Sequence, residues 1–293
     1  MSELPIDSGA AAPPLSMPTR PFLWSVRREL WENRSIYLIP LIVAALVFFG
    51  FLISTLAGRH LVGIQNPDAL AQPYVIAEGM LMAAMLLVGI FYSVDALHSE
   101  RTDRSILFWK SLPVSDTTVV LSKAAIPIIL LPLLTFAITL ATQIMMLLIN
   151  SAALIASGRS AGILWTTIPW PSMWFGLLEH LLMVHGIGWA PLFAWLLFVS
   201  GAARRVPFVW AVLPIVGIPI VEKMAFRTSH FVGLLEAVLS GGPGSALFMK
   251  ASTAPMSHHA TSFLGSPSLW AGLVVTAVLL AVTVRMRRSR GPI

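Results

Sequence analysis

Residues 100–123, with the sequence ERTDRSILFWKSLPVSDTTVVLSK, form a polar segment between two long apolar runs. Its charged residues alternate with large apolar ones over the first half of the segment. Pro113 cannot continue a helix, and Ser115 is a suitable N-cap for a helix that begins just after it. The segment therefore predicts a short amphipathic helix, a turn and then a membrane helix.

The composition of the whole chain indicates an all-α polytopic membrane protein. Of its residues 57% are apolar and only 11% are charged, and the mean hydropathy is +0.82. So few charges cannot cover a water-facing surface, and the apolar residues gather in blocks between charged loops. The formal charge of +6 comes from Lys and Arg residues that flank these blocks, a pattern that suits anionic lipid headgroups rather than nucleic acid. Because the chain has no Cys, disulfides and thiolate chemistry are excluded.

Six segments are predicted to cross the membrane, since a helix needs about 20 apolar residues to span the hydrocarbon. Pro127 and Pro132 predict kinks in the third of them. The fifth is short and contains Pro214 and Pro219, so we expect it to be broken, tilted or completed by its neighbours. The six segments, which lie in a transmembrane domain of residues 36–290, are residues 36–57, 74–97, 119–149, 175–202, 207–221 and 263–284.

Three further regions complete the predicted architecture. Residues 1–19 are rich in Pro, Ala, Ser and Gly, and we expect a disordered cytoplasmic tail. Residues 20–35 predict an amphipathic helix at the membrane interface, with Phe22, Leu23, Val26 and Leu30 on its apolar face. Residues 222–262, between the fifth and sixth membrane helices, predict a partly embedded outer helix and turn.

The basic residues predict the orientation of the chain. If the N-terminus is cytoplasmic, the inner segments contain 14 of the 19 Lys and Arg residues. This asymmetry agrees with the positive-inside rule for six crossings and predicts that both termini are cytoplasmic.

Polar residues within the apolar blocks allow two interpretations each. Glu179, His180 and His185 could bind a metal or relay protons, or they could be polar side chains that pack near the interface. The spacing of six residues between Glu179 and His185 does not place them on one line of an α-helix, which favours the second interpretation. Glu78 could extend to the headgroups, or it could line the outer part of a transport path.

The chain has no motif from which it could hydrolyse ATP. It contains no GxxxxGK[ST] phosphate loop and no polar block long enough for a nucleotide-binding domain. We therefore expect no catalytic residues and no cofactor of its own. Transport would need a partner that hydrolyses ATP, or another gradient.

The polar segment resembles the loop between the second and third membrane helices of ABC-2 type permeases, the membrane subunits of bacterial ATP-driven transporters. The resemblance is carried by the pair Glu100 and Arg101, by residues 111–115 with the sequence SLPVS, and by Lys123 at the start of the next helix. In that family the loop contains a coupling helix that docks on a separate ATPase. The resemblance covers about 24 residues closely, and elsewhere it concerns the number and order of helices.

The resemblance implies an exporter subunit in the bacterial cytoplasmic (inner) membrane. It would form a homodimer, or a heterodimer with a similar permease, bound to two copies of an ATPase that holds the ATP and Mg. The path would lie between the first, second and fifth helices of the two halves. The subunit would contact membrane lipids, and we expect it to bind no nucleic acid. The alternative is a gradient-driven secondary transporter or a polytopic membrane enzyme, against which stands the small number of charged residues at mid-membrane.

The coupling residues can be assigned on the same basis. Large apolar side chains in a charged cytoplasmic segment often act as anchors in a partner's pocket, which is the role expected of Phe108, Trp109 and Leu112. Arg101 and Arg104 are expected at the rim of that contact. The full set expected to couple to the ATPase is Glu100, Arg101, Arg104, Phe108, Trp109, Leu112 and Pro113, and Glu78 is the candidate for the path.

Overall fold

The computed structural model describes residues 21–57, 67–107, 114–233 and 265–289. Over these ranges the chain is helical and contains no β-strand, which confirms the prediction of an all-α protein for this part of the chain. The predicted tail, the outer element from residue 234 onward and residues 108–113 of the coupling segment lie outside the described residues.

The described helices follow one another with short connections, and two of them are interrupted by π-helical turns. We call these two interruptions π1 and π2. In chain order the elements are α1 (Pro21–Glu32), α2 (Ser35–Leu56), α3 (Pro67–Asp95), α4 (His98–Thr102), α5 (Asp116–Ala125), π1 (Ile126–Leu130), α6 (Leu131–Ala156), α7 (Gly162–Thr167), α8 (Trp170–His180), π2 (Leu181–Gly188), α9 (Ala190–Ala202), α10 (Pro207–Phe226) and α11 (Pro267–Ser289).

Five helical stretches are long and apolar enough to cross a membrane, namely α2, residues 69–102, residues 116–156, α10 and α11. There is a sixth if residues 170–188 (α8 and π2) and α9 together form one span. That span is bent by 44° between residues 188 and 190. These helices are consistent with a multi-pass membrane protein. The fifth predicted span is one continuous helix, α10, which accommodates both Pro214 and Pro219, so the break that we considered there is not seen.

The two π-helical segments pack against each other. In π1 the ring of Pro127 removes a backbone donor, which accounts for a widened turn at the kink that the sequence predicts. In π2, Gly186 lies against the backbone of π1 so closely that a Cβ atom there would be 2.6 Å from the carbonyl oxygen of Ile128. Glycine is thus the residue that lets these two helices approach at this point.

The remaining packing forms one bundle. α3 runs antiparallel to α6, because Tyr74 contacts Gln143 near one end while Gly89 lies beside Leu131 near the other. α2 packs against both of these helices, and α9 packs between α3 and α11. Three apolar clusters lie in the described part of the bundle: one around Met85 at the end that carries the polar segment, one around Tyr74 at the opposite end, and one around Phe193 of α9.

α1 packs against α5 by a face that differs from the predicted one. Ser25 and Glu29 are its buried residues, whereas Phe22 and Leu23 are 40% and 53% exposed. Val26 and Leu30 do pack against the core, as expected of the apolar face. The buried face of α1 is therefore centred on a carboxylate, which directs attention to what that carboxylate binds.

Candidate functional site

Six charged side chains meet at the end of the bundle where the polar segment begins and ends. They come from four helices that are far apart in the sequence, and they comprise three acids and three bases, so their formal charges cancel. We call this set the charge cluster: Arg28, Glu29, Glu100, Asp116, Lys123 and Arg287.

Glu29 is the deepest member of the charge cluster, with no exposed surface. Its carboxylate accepts hydrogen bonds from Arg28 Nη2 at 2.8 Å, from Lys123 Nζ at 2.8 Å and from the hydroxyl of Tyr92 at 2.9 Å. The pairing with Lys123 joins α1 to α5, and the bond from Tyr92 joins both to α3. A buried carboxylate is tolerated because it is paired and hydrogen-bonded in this way.

Glu100, in α4, connects the other members of the charge cluster. Its Oε1 lies 3.1 Å from both Arg28 Nη2 and Lys123 Nζ, and its Oε2 accepts from Arg287 Nη1 at 2.5 Å. Arg287 also donates from Nε to Asp116 Oδ1 at 3.1 Å. Glu100 thereby holds together the start of the polar segment, the helix that follows it and the last described helix.

Arg101 lies beside the charge cluster and is only 8% exposed. Its Nη1 donates to the carbonyl oxygens of Gly201 at 2.9 Å and Ala203 at 3.4 Å, at the end of α9. In the turn before α4, the backbone N–H of Leu97 donates to Ser200 Oγ of α9 at 3.0 Å. Arg101 therefore fixes α4 to α9, and its expected place at the rim of a contact with the ATPase stays a prediction.

The outer edge of the charge cluster is exposed at the surface of the protein. Glu32 pairs with Arg28 at 3.4 Å, and its side chain is 49% exposed. Partial burial raises the pKa of the Glu32 carboxyl, and the neighbouring Arg28 opposes this effect. Four inner members of the charge cluster have side chains that are 7% exposed or less, namely Glu29, Glu100, Lys123 and Arg287.

The charge cluster brackets the polar segment. On one side, α4 is fixed through Glu100 and Arg101, and on the other Ser115 Oγ accepts from the backbone N–H of Thr118 at 3.1 Å and caps α5 as the sequence predicts. Arg104 is exposed and has a positive φ of 59°, which marks the turn after α4. Phe108, Trp109, Leu112 and Pro113 lie outside the described residues, so their expected role as anchors stays a prediction.

Glu78 lies far from this end of the bundle. It precedes Glu100 by 22 positions, which corresponds to about 33 Å along a helix. Its side chain is buried, with 4% of the residue exposed, so it neither extends to the protein surface nor faces open solvent in this conformation. Its role in a transport path therefore stays a prediction.

The second polar group, Glu179 with His180 and His185, is brought together only in part. The rings of His180 and His185 are 5.0 Å apart, since a π-helical turn brings residues five positions apart onto one face. Among the described residues no group of three or more His, Cys, Asp or Glu side chains could hold a metal ion.

Sequence reasoning missed Glu29, Asp116 and Arg287 as members of a site. Residues 20–35 were interpreted only by their apolar face, and the pairing of Glu29 with Lys123 spans 94 positions, so nothing nearby in the sequence indicated it. Arg287 looked like a topological marker after the last membrane helix, and its bond to Glu100 spans 187 positions. The one available signal was the isolated Lys123 at the start of an apolar helix, which requires an acidic partner.

Comparisons with known protein families, with curated proteins and with solved structures find no match to this chain. The functional argument therefore rests on the charge cluster and on the polar segment that it brackets.

Proposed function

We propose that this chain is the membrane subunit of an ATP-driven exporter of the ABC-2 type, and that it couples to a separate ATPase through residues 98–123. The resemblance of that segment suggests the class, and the charge cluster is the observation that supports a coupling role. In this proposal the subunit pairs with a second permease copy and binds two ATPase subunits, which supply the ATP hydrolysis that this chain has no motif to perform.

The charge cluster supports the proposal because it makes the base of the segment stiff. A force applied to residues 108–113 reaches α4 and α5, and Glu100 and Lys123 pass it to α1 and α11 through ion pairs with little exposed surface. Arg101 passes it to α9. A connector with no partner does not need four helices fixed at its base.

Mechanically, the proposed partner would move the segment as one piece. The ion pairs of the charge cluster join these helices through side chains with little exposed surface, so we expect the helices to shift together. Closure of the ATPase pair would then tilt the two long spans that the segment connects, which are α3 and the span formed by α5, π1 and α6. This tilt would change the path between the two permease copies.

The experiment is capture of a separate ABC ATPase that is coexpressed with this chain. Phe108→Ala combined with Trp109→Ala removes two expected anchors, and each anchor at a hot spot is worth about 2 kcal/mol, so we expect affinity to fall at least about 30-fold. Copurification measures capture, and ATP turnover with and without cargo measures coupling.

The matched control is Phe22→Ala combined with Trp24→Ala, which removes the same two residue types from exposed positions on α1. We expect this control to keep both capture and coupled turnover. Full capture by the Phe108 and Trp109 variant would mean that the segment is only a connector. Transport without any ATPase, driven by an ion gradient, would instead favour the alternative of a secondary transporter.

A further inference from the structure

A polar seam runs between α3 and α6 within their membrane-spanning lengths, near the end opposite the charge cluster. Gln143 Nε2 donates to the carbonyl oxygen of Tyr74 at 3.2 Å, and Gln143 Oε1 accepts from Trp174 Nε1 at 3.0 Å. Asn150 Nδ2 lies 3.4 Å from the hydroxyl of Tyr74. Both functional groups of Gln143 are thus used inside the protein.

Glu78 lies on this seam. In a regular α-helix the carbonyl oxygen of Tyr74 accepts from the N–H of Glu78, so Gln143 contacts the backbone one turn from the carboxylate. Because α3 and α6 are antiparallel, the step from Gln143 back to Thr139 in α6 runs in the same direction as the step from Tyr74 to Glu78 in α3. Both steps cover about one turn, or about 6 Å along the axis. Glu78 and Thr139 are therefore at the same depth on facing helices.

Within the described part of the chain, several buried polar atoms along this seam have no hydrogen-bond partner. Glu78 Oε2 is buried without a hydrogen bond, and so are the hydroxyls of Thr139 and Thr135, two residues with no exposed surface. In the charge cluster, by contrast, every acid has a basic partner. An ionised carboxylate without a partner in an apolar interior is very unfavourable, so a proton on the Glu78 carboxyl would remove that cost.

We propose that Glu78 is a proton-binding site within the membrane domain, occupied in this conformation and emptied when the seam between α3 and α6 opens to water. The step breaks the carboxyl O–H bond and transfers the proton to water, which leaves a hydrated carboxylate. Opening of the seam is then linked to the release of one proton, and its equilibrium changes up to tenfold for each pH unit.

The titratable groups on the elements around the seam are unevenly distributed. α6, π1 and α9 contribute no Asp, Glu, His, Lys, Arg or Tyr, and none of the groups on the other neighbouring elements is hydrogen-bonded to Glu78. Glu222 instead accepts hydrogen bonds from Thr228 and from the backbone N–H groups of His230 and Phe231. Those other groups are Tyr37, Tyr74, Tyr92, Asp95, His98, Glu100, Arg101, Glu179, His180, His185, Glu222 and Lys223.

The first test asks whether the proton is present. Infrared spectra of the chain alone in lipid nanodiscs should contain a carbonyl band from a protonated carboxylic acid that shifts slowly in heavy water and is missing in Glu78→Gln. If no band depends on Glu78, the carboxylate is ionised in this conformation and the proposal is overturned.

The second test asks whether the proton controls the seam. The chain has no Cys, so Thr135→Cys gives a single thiol on the seam, and its labelling by a water-soluble methanethiosulfonate is measured with Glu78 and with Glu78→Gln. The ratio of the two labelling rates cancels the titration of the thiol itself, and an exposed Ser160→Cys in both backgrounds checks that cancellation.

We expect the ratio of labelling rates at residue 135 to rise with pH by up to tenfold per unit, and the ratio at residue 160 to stay constant. A ratio at residue 135 that is independent of pH would mean that Glu78 is a permanently neutral structural group, which overturns the proposal. Both tests use this chain without an ATPase, so their failure leaves the proposed coupling function untouched.

Discussion

Lys123→Met is the substitution whose effect follows most directly from the geometry of the charge cluster. Lys123 Nζ lies 2.8 Å from Glu29 Oε1 and 3.1 Å from Glu100 Oε1, and its side chain is 3% exposed. Methionine has nearly the same length and no charge, so the variant leaves two buried carboxylates with one cation fewer. We expect the free energy of unfolding to fall by about 3–5 kcal/mol, the range for breaking a buried ion pair by removing one partner.

Reversible unfolding in lipid bicelles measures this loss, with Arg205→Met as the matched control. Arg205 is exposed and forms no ion pair within the described part of the chain, so its replacement should change the free energy of unfolding by no more than about 0.5 kcal/mol. The double variant Glu29→Gln with Lys123→Met removes both charges, and we expect it to recover about 0.5–3 kcal/mol relative to the sum of the single losses. Additive losses, or a Lys123→Met as stable as Arg205→Met, would refute the ion-pair argument.

Two other outcomes follow from the helix packing and the predicted orientation. Gly186→Ala should lower the free energy of unfolding by about 1–3 kcal/mol, because the added Cβ would lie 2.6 Å from the carbonyl oxygen of Ile128. The control Gly79→Ala adds a Cβ that meets nothing within 4 Å and should be close to neutral. Denaturation of both variants measures the difference. Single cysteines at Ser105 and Ser160 should react with impermeant labels from the cytoplasmic and the external side respectively, and an external Ser105 would reverse the orientation on which the coupling proposal depends.

Local sequence signals predicted the parts of the structure that depend on neighbours in the chain. Ser115 was expected to cap a helix and does so, because an N-cap needs only its own hydroxyl and the next turn. Pro127 was expected to kink the third membrane helix, and the structure has a π-helical segment there. In both cases the cause lies within a few residues of the effect.

The rest required contacts between distant positions. Glu29 is buried because Lys123 and Tyr92 meet it from two other helices, and no periodicity in residues 20–35 indicates those partners. The spacing of Glu179 and His185 was judged by the α-helical period, but the chain forms a π-helical turn here, and it is His180 that meets His185 across it. The predicted span of residues 175–202 is bent by 44° near Gly188, because the wider turn ends there and a new helix begins at Ala190.

The central claim is that residues 108–113 touch an ATPase, and a cross-link from that segment tests it most directly. A photoreactive amino acid placed at Trp109 in cells that coexpress this chain and an ABC ATPase should give an adduct of the two chains. Mass spectrometry should find a peptide of the nucleotide-binding subunit attached at that position. The same probe at Trp165, which is exposed and predicted to lie on the external side, should give no such adduct. If position 109 reacts only with lipid or with nothing, while the ATPase and this chain are both present, the segment does not dock on the ATPase and the proposed function is wrong.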